Sequence, residues 1–100
     1  MAAYRLTQTA DAKLSGIYEY TYLNFGEAQA DAYLLDLHRI FELLADTPFM
    51  GKDCGELGPG LRRLLHRRHV AFYRVTTEGV LIIDIIGADQ LPEKHIQSDQ

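Results

Sequence analysis

A lone glycine, Gly26, separates two stretches whose apolar residues repeat at helical spacing, and this arrangement limits the possible folds more than any other feature of the chain. Before it, from Ala10 onward, Leu14, Ile17, Thr21 and Phe25 recur at three- and four-residue steps, while Lys13, Glu19 and Asn24 point elsewhere around the axis. After it, from Glu27, the spacing resumes with Ala30, Tyr33, Leu34, Leu37, Ile40, Phe41 and Leu44 and stops at Asp46-Thr47-Pro48. So short a connection implies an antiparallel helical hairpin, whose shared apolar face must be covered by another layer. Tyr4-Arg5-Leu6-Thr7 alternates as a strand would, and Thr9 is placed to cap the first helix.

The covering layer has to come from the C-terminal half. Leu61 to His66, Val70 to Thr76 and Gly79 to Ile86 are rich in branched and aromatic residues, with short breaks at Arg67-Arg68 and Thr77-Glu78-Gly79. They predict a three-stranded antiparallel meander. Val80 to Ile86 is apolar on both alternating faces except at Asp84, which predicts a central strand with helices on one side and a partly apolar cover on the other. Pro48, Pro59, Gly51, Gly55, Gly58 and Gly60 mark Thr47 to Gly60 as a structured surface loop. Pro92 starts a last helical turn through His95 and Ile96. The expected class is α+β, in the order β-α-α-β-β-β, with the hairpin packed on a small antiparallel sheet.

A chain of 100 residues, 47% of them apolar, can bury one core but not two, so residues 1–100 are expected to form one domain. No apolar run approaches the length of a membrane span, and Cys54, the only cysteine, cannot form an internal disulfide. A reducing cytoplasm fits both observations. The net charge of −4 argues against broad attraction to nucleic acid. The charge is uneven, however: Arg62, Arg63, Arg67 and Arg68 lie close together, while Asp31, Asp36, Glu42 and Asp46 load the preceding segment with acid. His66 and His69 could meet across a turn, but no third ligand accompanies them. Neither a glycine-rich phosphate loop nor a serine elbow is present, and Cys54 reads as a small loop side chain. No cofactor or metal is implied.

Three segments carry a family resemblance. They are Tyr18-Glu19-Tyr20 with Phe25-Gly26-Glu27-Ala28-Gln29-Ala30; Phe41-Glu42-Leu43-Leu44-Ala45 with Pro48 and Gly51-Lys52; and Leu57 with Pro59-Gly60-Leu61-Arg62, leading to His69-Val70-Ala71-Phe72-Tyr73-Arg74-Val75. In order and spacing they resemble the ParE group of the RelE/ParE superfamily, over nearly the whole chain. That resemblance implies the toxin of a type II toxin–antitoxin pair, used in plasmid stabilisation among other settings. It further implies inhibition of DNA gyrase without chemistry of its own, and a hetero-oligomer with a ParD-like antitoxin. A RelE-like relative would instead cleave mRNA on the ribosome, with Arg62, His69 or Tyr73 as candidate groups. Val70 stands where such nucleases typically carry a basic residue. A third possibility is a non-toxic relative that only sequesters an antitoxin. After the last strand the family commonly shows a His followed by an Arg/Ser-Met-Asp type segment, whereas this chain reads Gly87-Ala88-Asp89-Gln90-Leu91, with Pro92 and His95 still fitting.

The residues expected to meet a partner follow from both arguments. Tyr18, Tyr20 and Tyr22 cannot all face one core, because successive helical residues lie about 100° apart, so a tyrosine at the surface, Tyr18 or Tyr22, is a candidate anchor. Arg62, Arg63, Arg67 and Arg68 can pair with acidic antitoxin residues or approach DNA held by gyrase, or can be solvated strand ends. Leu91 and His95 belong to the tail that the resemblance ties to toxicity. No membrane contact and no direct, specific nucleic-acid binding are expected.

Overall fold

A computed structural model of the chain describes residues 3–91. Strand β1 (Ala3–Leu6) leads into helix α1 (Gln8–Phe25), which turns at Gly26 into helix α2 (Glu27–Asp46). Four further strands follow, β2 (Lys52–Asp53), β3 (Arg62–His66), β4 (His69–Thr76) and β5 (Gly79–Gly87), and then a 3-10 turn over Ala88–Gln90. They form one five-stranded sheet in the order β1-β5-β4-β3-β2. The expected meander is present, with β3, β4 and β5 antiparallel. Two additions make the sheet mixed: β1 pairs parallel to β5, and the two-residue β2 pairs with β3 from within the predicted loop. β5 is interior, as its apolar character requires, although β4 occupies the centre.

The cap of α1 differs from the sequence expectation. Thr7, not Thr9, is the N-cap: its Oγ1 accepts from Ala10 N at 3.1 Å and donates to Ile83 O at 2.7 Å. Thr9 lies within the first turn. The helix starts earlier because Thr7 can both satisfy a free N–H of the first turn and anchor the strand-to-helix corner on β5. At the hairpin, Gly26 has φ 92°, a left-handed value that glycine reaches without strain.

The hairpin lies on one face of the sheet. Ala10 and Leu14 of α1 and Leu37, Phe41, Leu44 and Ala45 of α2 pack on Ala71, Tyr73, Val80, Ile82 and Ile85. Strict alternation along β5 would send Asp84 into this core with Val80 and Ile82. A bulge prevents it, since Phe72 pairs with Asp84 while Tyr73 pairs with Ile82, leaving Ile83 as the extra residue. Ile85 thereby reaches the core, and Asp84 accepts from Lys13 Nζ at 3.1 Å beyond the end of β1. On the opposite face Phe72, Leu81 and Ile86 are half-buried and Leu65 is exposed.

Phe25 departs from the stripe assigned to it, being 57% exposed, because α1 outruns the sheet at the hairpin end. Tyr20, Tyr22 and Leu23 are exposed along the same C-terminal part of α1. No helix among the described residues is long and apolar enough to cross a membrane.

Candidate functional site

The Gly26 end of the helical hairpin and the tight β3–β4 turn border a groove of about 570 Å³. Tyr20, Thr21 and Phe25 line it from α1, Gln29, Ala32, Tyr33, Asp36 and Arg39 from α2, and Arg67, Arg68 and His69 from the turn. A second cavity of about 520 Å³ adjoins it, sharing Tyr20, Arg68 and His69 and continuing along α1 to Asp89 and Gln90.

Local geometry fixes the turn. Arg67 has φ 56°, a left-handed value uncommon for a side-chain-bearing residue, and it lies between His66 and His69, which pair directly across the strands. Asp36 braces this turn from α2: its Oδ2 accepts from His66 Nε2 at 2.7 Å and from Arg67 Nε at 2.9 Å. The hydrogen bond from His66 is the main reason the Asp36 carboxyl is held below the usual carboxylate range, and Arg67 adds to it. The two histidines serve different partners. His69 lies with Nδ1 2.6 Å from the Tyr33 hydroxyl, and burial pushes its pKa down. A neutral imidazole that accepts the phenol proton at Nδ1 carries its own proton on Nε2.

The other candidate residues are distributed as follows. Arg62 faces inward. Its guanidinium donates to Phe49 O at 3.2 Å and Gly51 O at 2.5 Å and sits 5.1 Å from the Phe49 ring centroid, tying down the chain after α2. Arg63 is half-buried on β3 opposite Phe72. Arg67 and Arg68 are exposed, and Arg68 O accepts from Ala88 N at 2.7 Å, which joins the turn to the start of the tail. Tyr18 is half-buried and donates to Asp31 Oδ1 at 2.7 Å, with Tyr22 6.3 Å away ring to ring. Tyr22 is exposed. Leu91 is 7% exposed, and Gly87 N donates to Gln90 Oε1 at 2.8 Å in the turn before it. His95 and the helical turn expected from Pro92 lie outside the described residues.

Arg67 and Arg68 therefore come together with exposed Tyr20, whereas Arg62 does not join them. Sequence reasoning missed Tyr33, Asp36, Arg39 and His69 as one constellation. Tyr33 is on the predicted apolar stripe, and the spacing of Asp36 and Arg39 does put them one turn along the same face. Only the tertiary approach of β3 and β4 shows that this face meets the arginine turn.

Two further groups are closed off from chemistry. Tyr73 is fully buried, with its hydroxyl accepting from Gly51 N at 3.0 Å and donating to Pro48 O at 2.7 Å. Cys54 is fully buried too, and burial pushes its thiol pKa up, away from thiolate reactivity.

Comparison with known proteins agrees with this architecture. Residues 4–92 match the family model for the ParE toxin of the type II toxin–antitoxin system parDE. The chain is 39% identical over 96 residues to the toxin ParE1 of Caulobacter vibrioides, covering 96% of this chain and 99% of that protein. It is 40% identical over 83 residues to the toxin ParE1 of Mycobacterium tuberculosis, covering 83% of each. Among solved structures, a chain of a chromosomal ParDE toxin–antitoxin system from P. aeruginosa superposes with a TM-score of 0.72 at 26% identity, covering 87% of this chain and 96% of that one.

Proposed function

Since the chain belongs to the ParE family of type II toxin–antitoxin toxins, we propose that it is a cytoplasmic toxin that disables DNA gyrase by binding and is neutralised by a ParD-like antitoxin. The observation that carries this reading is the state of the groups an RNA-cleaving relative would need. Tyr73 is fully buried with both of its hydrogen bonds made to backbone, and Arg62 is committed to Phe49 and Gly51. His69 alone of the three lines a groove. With Tyr73 and Arg62 tied up elsewhere, the three groups named for RNA cleavage are not brought together around one scissile bond, as proton transfer and transition-state stabilisation would require.

Binding needs only a surface, and the chain has one. Tyr22 and Leu23 are exposed on α1, and Arg67 and Arg68 are exposed at the β3–β4 turn, where Tyr20 of α1 shares the groove with them. An exposed tyrosine next to apolar area and planar guanidinium groups supplies the anchors a protein partner uses. Tyr18 is tied to α2 through Asp31, and Arg62 secures the loop after α2 away from the β3–β4 turn. Arg63, half-buried on β3, and His95 are further proposed contacts, and buried Leu91 is proposed to act by shaping the start of the tail. An antitoxin segment that is disordered alone would fold on this surface and offset its ordering cost by burying apolar area.

The test is a gyrase supercoiling and cleavage assay with the purified chain. Loss of supercoiling, or accumulation of cleaved DNA, is expected at micromolar excess and should be reversed by the antitoxin. Unaltered gyrase at that excess contradicts the proposal.

A further inference from the structure

We propose that the groove between the hairpin and the β3–β4 turn is a nucleotide site, taking a phosphate group on its arginines and a base against its aromatic side chains. This goes beyond gyrase inhibition and would stand even if the chain left gyrase untouched.

Charge comes first. Arg39, Arg67 and Arg68 line the groove against one carboxylate, Asp36, whose Oδ2 already accepts from His66 and Arg67. The side chains of Arg39 and Arg68 make no hydrogen bond or ion pair among the described residues. The groove is thus locally cationic in a chain of net charge −4, and two of its guanidinium groups are uncommitted. Guanidinium presents paired N–H donors that match two oxygens of a phosphate.

The second observation is aromatic. Tyr20 and Phe25, 64% and 57% exposed, stand in the same groove as these cations, and Tyr33 and His69 form a hydrogen-bonded ring pair within it. An exposed aromatic face beside arginines is the surface on which a nucleobase stacks while its phosphate is held. Gln29 adds an amide able both to donate and to accept, and neutral His69, with its proton on Nε2, adds a donor.

Size is the third. A volume of about 570 Å³ lies within the range of about 300–1,000 Å³ typical of small-ligand sites. An acidic peptide would satisfy the arginines but would leave the aromatic walls without a planar partner, so the combination favours a nucleotide. The nucleotide can be free or can belong to a single strand, since both present a phosphate and an unpaired base.

The experiment is isothermal titration of the purified full-length chain with ATP, inorganic pyrophosphate, a short oligothymidylate and an acidic glutamate-rich peptide. ATP is expected to bind at about 1 mM or tighter. The double variant Arg39→Ala/Arg68→Ala should weaken ATP about tenfold or more, by loss of charge-assisted contacts. Tyr20→Ala should weaken ATP about fivefold or more through lost stacking, while leaving pyrophosphate unchanged. All three side chains are exposed, so these variants are expected to fold, and thermal unfolding checks this directly. Binding of the oligonucleotide without ATP would support a strand-borne nucleotide, and binding of both would support the general site. Absence of binding by every phosphate ligand at millimolar concentration overturns the proposal, as does binding of the acidic peptide alone. Equal affinity of the double variant overturns it, and so does a Tyr20→Ala effect no larger on ATP than on pyrophosphate. Gyrase inhibition, measured separately, can succeed or fail without changing any of these outcomes.

Discussion

Replacing Tyr73 by Phe removes one oxygen atom and should unfold the chain at a markedly lower denaturant concentration. The ring of Tyr73 is fully buried between the sheet and the hairpin, and its hydroxyl joins the centre of β4 to the chain leaving α2 through Gly51 N at 3.0 Å and Pro48 O at 2.7 Å. Packing of the ring survives the substitution. Two hydrogen bonds disappear, each with a net value of about 1 kcal/mol. Gly51 is buried, so its N–H loses its partner out of reach of water, and the penalty for an unsatisfied donor is about 1–3 kcal/mol. These terms overlap, because the lost bond and the orphaned donor describe the same N–H, so the expected total is about 2–3 kcal/mol. With a urea slope of about 1–1.5 kcal/mol/M for a chain of this length, the midpoint should fall by about 1.3–3 M with the slope unchanged. Equilibrium urea unfolding followed by circular dichroism measures both. A shift smaller than about 0.4 M would refute the idea that this hydroxyl is a structural tie, and would reopen a chemical role for Tyr73.

Gly79 has φ 149°, and a β-carbon there would collide with the backbone oxygen of Ala3, so Gly79→Ala should detach β1 from β5. The cost is about 2 kcal/mol or more, and hydrogen exchange should show protection lost at Ala3 to Leu6 while the β3–β5 meander keeps its own. Burial lowers the pKa of His69, so folding favours the neutral ring. Its stabilising contribution is complete above the ordinary histidine value of about 6.5 and is lost as pH falls through the depressed folded value. Asp36, held down chiefly by its hydrogen bond from His66, contributes in the same sense at lower pH: fully present above the ordinary carboxylate value of about 3.9, lost as pH falls through the depressed one. Thermal unfolding from pH 8 to pH 3 should therefore decline in two stages, and His69→Gln should remove the upper stage alone. A single decline confined to the carboxylate range in both proteins would contradict the burial argument.

Much of the fold was legible in the sequence because periodicity and punctuation agreed. The step from 3.6-residue to two-residue spacing, with Gly26 and Arg67-Arg68 at the breaks, gave the hairpin and the meander. Three features were not legible, each for a physical reason. The cap moved from Thr9 to Thr7 because Ile83 O, 76 positions away, accepts from the Thr7 hydroxyl while that hydroxyl caps the helix. The role of Asp84 depended on a bulge, and a two-residue alternation has no means of announcing where it skips. The parallel pairing of β1 with β5 joins the ends of the chain, and nothing local encodes it. The candidate site shows the same division. Arg67 and Arg68 could be named from charge, but of the tyrosines named, Tyr18 is half-buried and Tyr22 is exposed outside the groove, and the one that lines it is Tyr20. The inward commitment of Arg62, and the meeting of Tyr33, Asp36 and Arg39 with the turn, required the tertiary structure.

The central claim is action by capture of a target, without bond cleavage, and induction of the gene alone in growing bacteria tests it most directly, with the DNA-damage response and the integrity of translated mRNA followed together. The account predicts growth arrest with filamentation, an induced damage response, intact mRNA, and full rescue when the antitoxin is co-expressed. Codon-specific cuts in mRNA with no damage response would contradict it.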